Sequence, residues 1–448
     1  MTRLRMTAVA AAGVLVLSGC SAAGWGLPSG GGGKVHLTYA LWDANQQKGY
    51  QRSIDEFEKQ HPNIDVTIEQ VPYASYQQKI TAQYISGNAP DVFWVNTPWL
   101  GDWVSGGLLA DITDRVKAAN IDLGQYYSSL VKLHEKDGRL YGLPKDWDTI
   151  AQYYNKDYLA TIGVRSVPTD LSWNPVDGGS YLKFLKRITT DTSGRNALDP
   201  KFDPRSVKTY AIASTNDPQA QLLSFFAMNG GSMLPAPFAK KSSLNSPQNR
   251  QTLTFLTRML QQAHVAVPAG QTGPNGDDTN AQTLFASGRT AIWQTGDWQT
   301  LGLSGLSKFT IGVAPLPSGP KGRISVFNGL TDGIASNTEH PEEAWQLVQW
   351  LAGEQSQRLM GSGGYVWPAI EKLDPLFLDY WRRKGIDLTP FLDEAKGKTV
   401  NFPVATGLAE ALSDVSIALG PTYLGQSSPA QGLRDAQRIL DYRISYTK

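Results

Sequence analysis

Residues 35–96 alternate between two hydrophobic periods, and that alternation constrains the fold more than any other feature of the chain. Val35-His36-Leu37-Thr38-Tyr39-Ala40-Leu41 changes face residue by residue and is rich in strand formers, so it reads as a β-strand. Tyr50, Ile54 and Phe57 then share one helical face, and His61-Pro62 ends that helix. Residues 64–68 alternate again, and Tyr76, Ile80 and Tyr84 mark a second helix with Gly87-Asn88 as its stop. Residues 91–96 are apolar almost throughout, as expected of a strand buried on both faces. Strand-helix-strand-helix-strand with short connections is the βαβ arrangement of an open parallel sheet.

The same pattern returns downstream. Residues 210–213 read as a strand followed by a helix opening at Pro218, 246–262 and 277–287 as helices, and 308–313 as a strand. Ala344, Leu347, Val348 and Leu351 make an amphipathic stripe opened by Pro341, and 428–446 reads as a C-terminal helix. No repeat and no linker divides this body. The expectation is an α/β protein of two halves joined by several crossings of the chain.

The chain has 448 residues, which at roughly 150 per domain predicts two or three units. Apolar residues make up 41% and charged ones 18%, which suits sizeable cores. Lys plus Arg number 41 against 40 Asp plus Glu, so charge gives no case for nucleic acid or an anionic membrane surface. One cysteine and five histidines without paired spacing predict no disulfide, no metal site and no cofactor. Aromatics lean towards the largest type, with 13 Trp beside 18 Tyr and 14 Phe.

The N-terminus reads as an address. Arg3 and Arg5 precede an apolar stretch over 8–17, too short for a bilayer span, which needs about 20 residues. Leu17-Ser18-Gly19-Cys20 resembles the bacterial lipobox, in which the cysteine is diacylated and becomes the new N-terminus. Residues 1–19 are therefore expected to be a signal peptide and 20–33 a lipidated Cys20 with a glycine-rich tether. The body would begin near Lys34, extracytoplasmic and held at the membrane by lipid without crossing it.

Gly87-Asn88-Ala89-Pro90-Asp91-Val92 leads into the third expected strand, and this and several later segments resemble the family of extracellular solute-binding proteins of bacterial carbohydrate ABC importers, whose third strand is entered in the same way. Tyr141-Gly142-Leu143-Pro144 followed by Tyr153-Tyr154-Asn155-Lys156-Asp157 resembles its "YGLP…YYNKD" segment. Residues 285–292 with Gly296-Asp297-Trp298, and Gly333-Ile334-Ala335 with Pro341-Glu342-Glu343-Ala344-Trp345, match two later motifs in order and spacing. Arg289 and Ile292 depart from the commoner Lys and Met while keeping charge and apolar character.

The resemblance implies a two-lobed periplasmic-binding-protein-like fold of type II. Two open sheets flanked by helices would join at a hinge of about three crossings. It places one lobe at 34–148 plus 317–355 and the other at 149–316 plus 356–448. It also implies a monomer that is no enzyme. Such a protein captures a mono- or oligosaccharide, amino sugars included, and delivers it to membrane permease subunits.

A neutral sugar needs flat aromatic faces for its C–H surface and amides or carboxylates for its hydroxyls. Candidates stand where strands end, since open α/β sheets bind ligands there. Trp42, Asp43 and Asn45 follow the first strand, Asn96 and Thr97 the third, and Asn216 and Asp217 the 210–213 strand. For Asp43 and Asp217, helix capping competes with ligand contact. Trp147 and Asp148 precede the implied hinge, and the family's acidic contact favours Asp148. Asp297 and Trp298 fall where relatives stack a ring on sugar; Trp293 reads as core. Residues 361–368 form a glycine-rich loop without a phosphate-loop signature that could contribute Tyr365 or Trp367. Tyr76 and Asn328 complete the set. Residues 275–280 lack the ligand ladder of a calcium loop and read as a helix start.

The rivals are a lipid-anchored glycosidase using Asp146 and Asp148, and the same fold binding a peptide or a glycerophosphodiester. The first suffers because neighbours on one strand approach from one side, whereas glycoside cleavage needs carboxylates flanking the bond. No G-x-S-x-G elbow supports a serine hydrolase.

Overall fold

In the computed structural model, residues 33–272 and 278–446 are described. Cys20, the signal stretch, most of the tether and residues 275–277 lie outside the described residues.

The first sheet grows from the alternating N-terminal segment. β1 (Val35–Leu41) pairs in parallel with β2 (Ile64–Gln70) and with β3 (Val92–Val95), in a register that sets Val35 opposite Ile64 and Tyr39 opposite Val92. The helices α1 (Ala44–Gln60) and α2 (Tyr73–Ile85) connect these strands, and α1 buries Tyr50, Ile54 and Phe57 on the sheet. β3 leads into α3 (Thr97–Ser105), with a proline in its first turn. β4 (Leu143–Pro144) closes one edge of this sheet.

The second sheet is organised by one long strand. β5 (Asp146–Asn155) begins one residue after β4 and leaves the first lobe. Around it stand β6 (Thr190–Asp191), β7 (Val207–Ile212), β8 (Thr290–Gly296), β9 (Ile311–Ala314) and β10 (Ser325–Asn328). The helices α4 (Pro247–Gln261) and α5 (Thr300–Leu306) belong to this lobe. The chain then returns as β11 (Thr331–Ile334), which runs antiparallel between β3 and β4. After α6 (Pro341–Ala352), α7 (Glu354–Ser362), β12 (Trp367–Pro368), α8 (Asp374–Arg383) and β13 (Thr399–Asn401), the helices α9 (Leu408–Tyr423) and α10 (Pro429–Tyr446) pack together on α4.

The five-stranded sheet thus has the order β2-β1-β3-β11-β4. The eight-stranded sheet runs β13-β10-β5-β8-β7-β6, with β9 and β12 also paired to β5. This is the two-lobed binding-protein architecture expected from the sequence. Among the described residues no helix is long and apolar enough to cross a membrane.

The crossings fall elsewhere than the sequence suggests. Residues 317–328 were expected in the first lobe, yet β10 pairs with β5 and β13 in the second sheet, so the return crossing lies at Gly329-Leu330. Residues 356–362 were expected in the second lobe. They form α7 instead, which packs on α1, where Ser356 Oγ meets Ser53 Oγ at 2.7 Å. The last crossing therefore comes after Ser362. Both differences arise from pairing partners distant in sequence, which local periodicity does not encode.

The first two crossings are tied together. Lys145 N–H donates to Leu330 O at 3.2 Å, and Leu330 N–H donates to Asp146 Oδ1 at 2.8 Å. Gly329 is required by this close approach, because a Cβ there would stand 2.5 Å from Asp146 O and 2.9 Å from Leu130 Cδ2. Gly329→Ala is expected to lower stability by about 1–3 kcal/mol, read as a fall in melting temperature. An unchanged melting curve would contradict the close approach of the crossings.

Candidate functional site

The cleft lies where the carboxyl ends of β1 and β3 face the start of β5 and the ends of β7, β8 and β10. On the first-lobe wall Trp42 stands edge-on to Trp94 at 4.6 Å, Trp99 at 5.3 Å and Tyr73 at 5.5 Å between ring centroids. Such edge-to-face pairs hold rings in fixed orientation. Tyr76 belongs behind this wall rather than in the cleft. It is fully buried, donates to Ala40 O and accepts from Trp94 N–H, so its hydroxyl is spent on the core.

Asp43 caps α1, accepting from Asn45 N–H at 2.7 Å and Gln46 N–H at 3.3 Å. The capping that competed with ligand contact is realised here, and again at Asp217, whose Oδ1 accepts from Ala220 N–H. Asn45 is exposed at the cleft rim, its Nδ2 3.6 Å from where a Cβ on Gly302 of α5 would stand. Asn216 is buried and donates to Ser416 O at 2.7 Å, tying the end of β7 to α9 rather than offering its amide to a ligand.

A hydrogen-bonded chain runs across the hinge. Thr97 Oγ1 donates to Asn328 Oδ1 at 2.6 Å, and Asn328 Nδ2 donates to Asp148 Oδ2 at 3.2 Å. Gln219 Nε2 donates to Asp148 Oδ1 at 2.7 Å from the turn that Asp217 caps. Asp297 is buried beside them and accepts from Thr149 N–H at 3.1 Å. Asn96 is buried with Nδ2 3.3 Å from Tyr73 Oη, and its Oδ1 has no partner among the described residues.

These carboxylates line a pocket of about 40 Å³ together with Gln46, Trp298 and Tyr365. Trp298 is half-buried, and its ring lies over Gly296, where a Cβ would collide with it. Tyr365 is half-buried and packs in the same way over Gly49 of α1. Trp147 and Trp367 reach the pocket only as its floor. Their rings stack on each other at 4.5 Å, each is almost wholly buried, and Trp147 Nε1–H donates to Asp374 at 3.1 Å. Both rings are given over largely to packing, although each still borders the pocket.

Beside the small pocket the cleft widens into a groove of about 700 Å³. Tyr73, Asn96 and Trp99 form one wall; Gln219, Ser413 and Asp414 are on the other. Sequence reasoning missed Gln46, Gln219 and all of α9. The cluster of Ser413, Asp414 and Ser416 in a largely apolar stretch was the available signal.

The electrostatics are lopsided. Burial, and then the neighbouring Asp146 carboxylate, push Asp148 up to about 8; burial and Asp148 push Asp297 up as well. Asp332, buried behind them, is raised to about 7 chiefly by burial. The buried cation nearby is Lys145, and it is already engaged. Its Nζ donates to Asp146 Oδ2 and Tyr50 Oη, each at 2.7 Å, and lies 4.0 Å from the Trp94 ring. A group that donates hydrogen bonds or brings positive charge is what this pocket accepts. Among the described residues no cluster of His, Cys, Asp and Glu could hold a metal ion.

The model of the family described as bacterial extracellular solute-binding protein matches residues 43–358. The arabinooligosaccharide-binding protein of Bacillus subtilis is 25% identical over 425 residues, covering 92% of this chain and 87% of that protein. UspC of M. tuberculosis is 28% identical in sequence with a TM-score of 0.75, covering 91% of this chain and 100% of that one. An ABC substrate-binding protein from Listeria monocytogenes, solved in complex with cycloalternan, has a TM-score of 0.78 at 20% identity, with 91% and 98% covered. At that identity the last likeness shows the fold alone.

A pH dependence follows from Asp148. An unfolded aspartate titrates near 4, whereas this one titrates at about 8, so the folded protein holds the proton more tightly. Its contribution to stability is complete below about 4 and is lost as pH rises towards 8. Asp148→Asn removes that loss, so its melting temperature should gain on the unsubstituted protein as pH rises from 5 to 8. A difference between the two that stays constant with pH would contradict the assignment.

Proposed function

We propose, on the premise that the chain belongs to the bacterial extracellular solute-binding protein family, that it captures a carbohydrate between its lobes and delivers it to the permease of an ABC importer. Members of this family are receptors rather than enzymes. The observation that carries the carbohydrate reading is the pairing, in one interlobe pocket, of Trp298 with the hydrogen-bonding carboxylates Asp148 and Asp297. A ring face takes the C–H surface of a pyranose and the carboxylates take its hydroxyls. The ligands named for the relatives, an arabinooligosaccharide and cycloalternan, point to the same class.

The charge of the pocket narrows the reading. Asp148 and Asp297 face no unpaired cation among the pocket-lining residues and are both pushed towards their protonated forms, so the ammonium of an amino sugar would favour the ionised carboxylates, whereas a neutral sugar would meet carboxyls that keep their protons. The wide groove beyond Gln219 gives room for further sugar units. A glycerophosphodiester is disfavoured on the same ground. Arg443, the arginine at that groove, is held by Glu410 at 2.7 Å and Asp414 at 2.8 Å and is not offered to a phosphate. Closure requires that the ligand contact both lobes better when they are shut. Trp42, Asn96 and Gln46 on one side and Trp298, Asp297 and Gln219 on the other supply that difference.

The test is calorimetric titration with neutral sugars, amino sugars and glycerophosphodiesters. Trp298→Ala should cost about 2 kcal/mol of binding, roughly thirtyfold in affinity. Asp148→Asn should lose about 1.5–3 kcal/mol, and more for amino sugars than for neutral ones. Binding of glycerophosphodiesters alone, or unchanged affinity in both variants, would overturn the assignment. We further infer that Cys20 is lipidated and carries the membrane association. Cys20→Ala should then leave the membrane fraction, and its quantitative retention there would refute the anchor.

A further inference from the structure

The helix α9 brings Ser413, Asp414 and Ser416 to the groove, yet nothing in its own vicinity caps it. Its N-cap is Gly407, at φ 77°, with no side-chain hydrogen bond of its own. That left-handed conformation suits glycine, and a Cβ would also meet Arg443 O at 2.6 Å. The first turn of a helix leaves N–H groups unsatisfied and carries partial positive charge. Here the acceptor comes from the opposite lobe. Gly407 N–H donates to Asp102 Oδ1, on α3.

The contact around this bond is tight and spans the lobes. A Cβ on Gly101 would lie 2.4 Å from Ala405 O, so α3 presses directly on the backbone leading into α9. Ser105 Oγ meets Thr406 Oγ1 at 3.1 Å. Lys136 of the first lobe donates to Ser105 Oγ at 3.0 Å, with its Nζ 5.3 Å from the Phe238 ring of the second.

We propose that Asp102 is a positioning residue that caps α9 from across the cleft, coupling closure of the lobes to the placement of the groove-lining helix. It rests on the reading of the cleft as the binding site, but Asp102 itself does not line the groove. When the lobes part, α9 loses its cap and its first turn is free to fray. When they meet, the carboxylate fixes the turn from which the binding face of α9 extends.

The experiment needs no ligand, because the free protein samples both parted and meeting lobes and Asp102 sets the share of time for which α9 is capped. Amide hydrogen exchange and small-angle scattering are measured on the unliganded, full-length protein and on Asp102→Ala and Asp102→Asn. In Asp102→Ala, exchange over residues 407–411 should accelerate by roughly fivefold or more, as the loss of one cap implies. The acceleration should stay confined to that turn, with a larger radius of gyration. Asp102→Asn, which keeps an acceptor and loses the charge, should fall between. Unchanged exchange at 407–411 would overturn the proposal. So would a uniform acceleration through both lobes, because Asp102 would then serve only the general stability of α3. A sugar panel that finds no ligand would sink the carbohydrate reading while leaving both of these readouts in force.

Discussion

The cleft is hung from a single strand. β5 pairs with β8, β9, β10 and β12, so its backbone cannot shift without breaking several ladders at once. Because strand side chains alternate, this fixed register sends Trp147 into packing while Asp148 borders the cleft. Burying carboxylates is costly unless they are hydrogen-bonded or paired. Lys145 and Leu330 N–H satisfy Asp146, and Gln219 with Asn328 satisfies Asp148. The strand therefore concentrates carboxyl groups and acceptor oxygens at one place, in a geometry that the hinge itself enforces.

The sequence was most legible where structure is local. The boundaries of β1, the single buried face of α1 and the buried β3 all follow from periodicity within about a dozen residues. The capping roles of Asp43 and Asp217 were equally readable, since a helix start needs such a residue whatever surrounds it. The aromatic residues were harder. Nothing near Trp147, Trp367 or Tyr76 in the chain distinguishes a ring that lines a cleft from one that fills a core. The difference lies in Ala40, Asp374 and the partner ring, all brought in by tertiary structure. Gln219 left no local signal, because it matters through the Asp148 it meets in the fold, and the polar run on α9 takes its meaning from the wall it faces across the groove. The positions of the crossings depend on strand pairings between remote segments, and so they shifted too.

The tryptophan surplus finds its use in the walls. Trp42, Trp94, Trp99 and Trp103 form a connected set with Tyr73, Tyr76 and Phe93 behind the first-lobe face. Each such pair adds about 0.5–1.5 kcal/mol beyond area burial. A wall built this way is stiff, so the shape of that wall is set before anything enters the cleft and little of its side-chain freedom remains to be lost on binding.

The insertion of β11 between β3 and β4 has a consequence for how the chain acquires its structure. Its neighbours in the sheet are both made early, but β11 follows the whole first pass through the second lobe. A ribosome delivering the chain from its N-terminus cannot present the first lobe with its missing strand until most of the polypeptide has emerged. The two lobes therefore cannot mature one after the other during synthesis, and contacts of such wide separation form slowly. Until β11 arrives, β3 has an unpaired edge, and that interval is when the nascent chain is most exposed to pairing with a stranger.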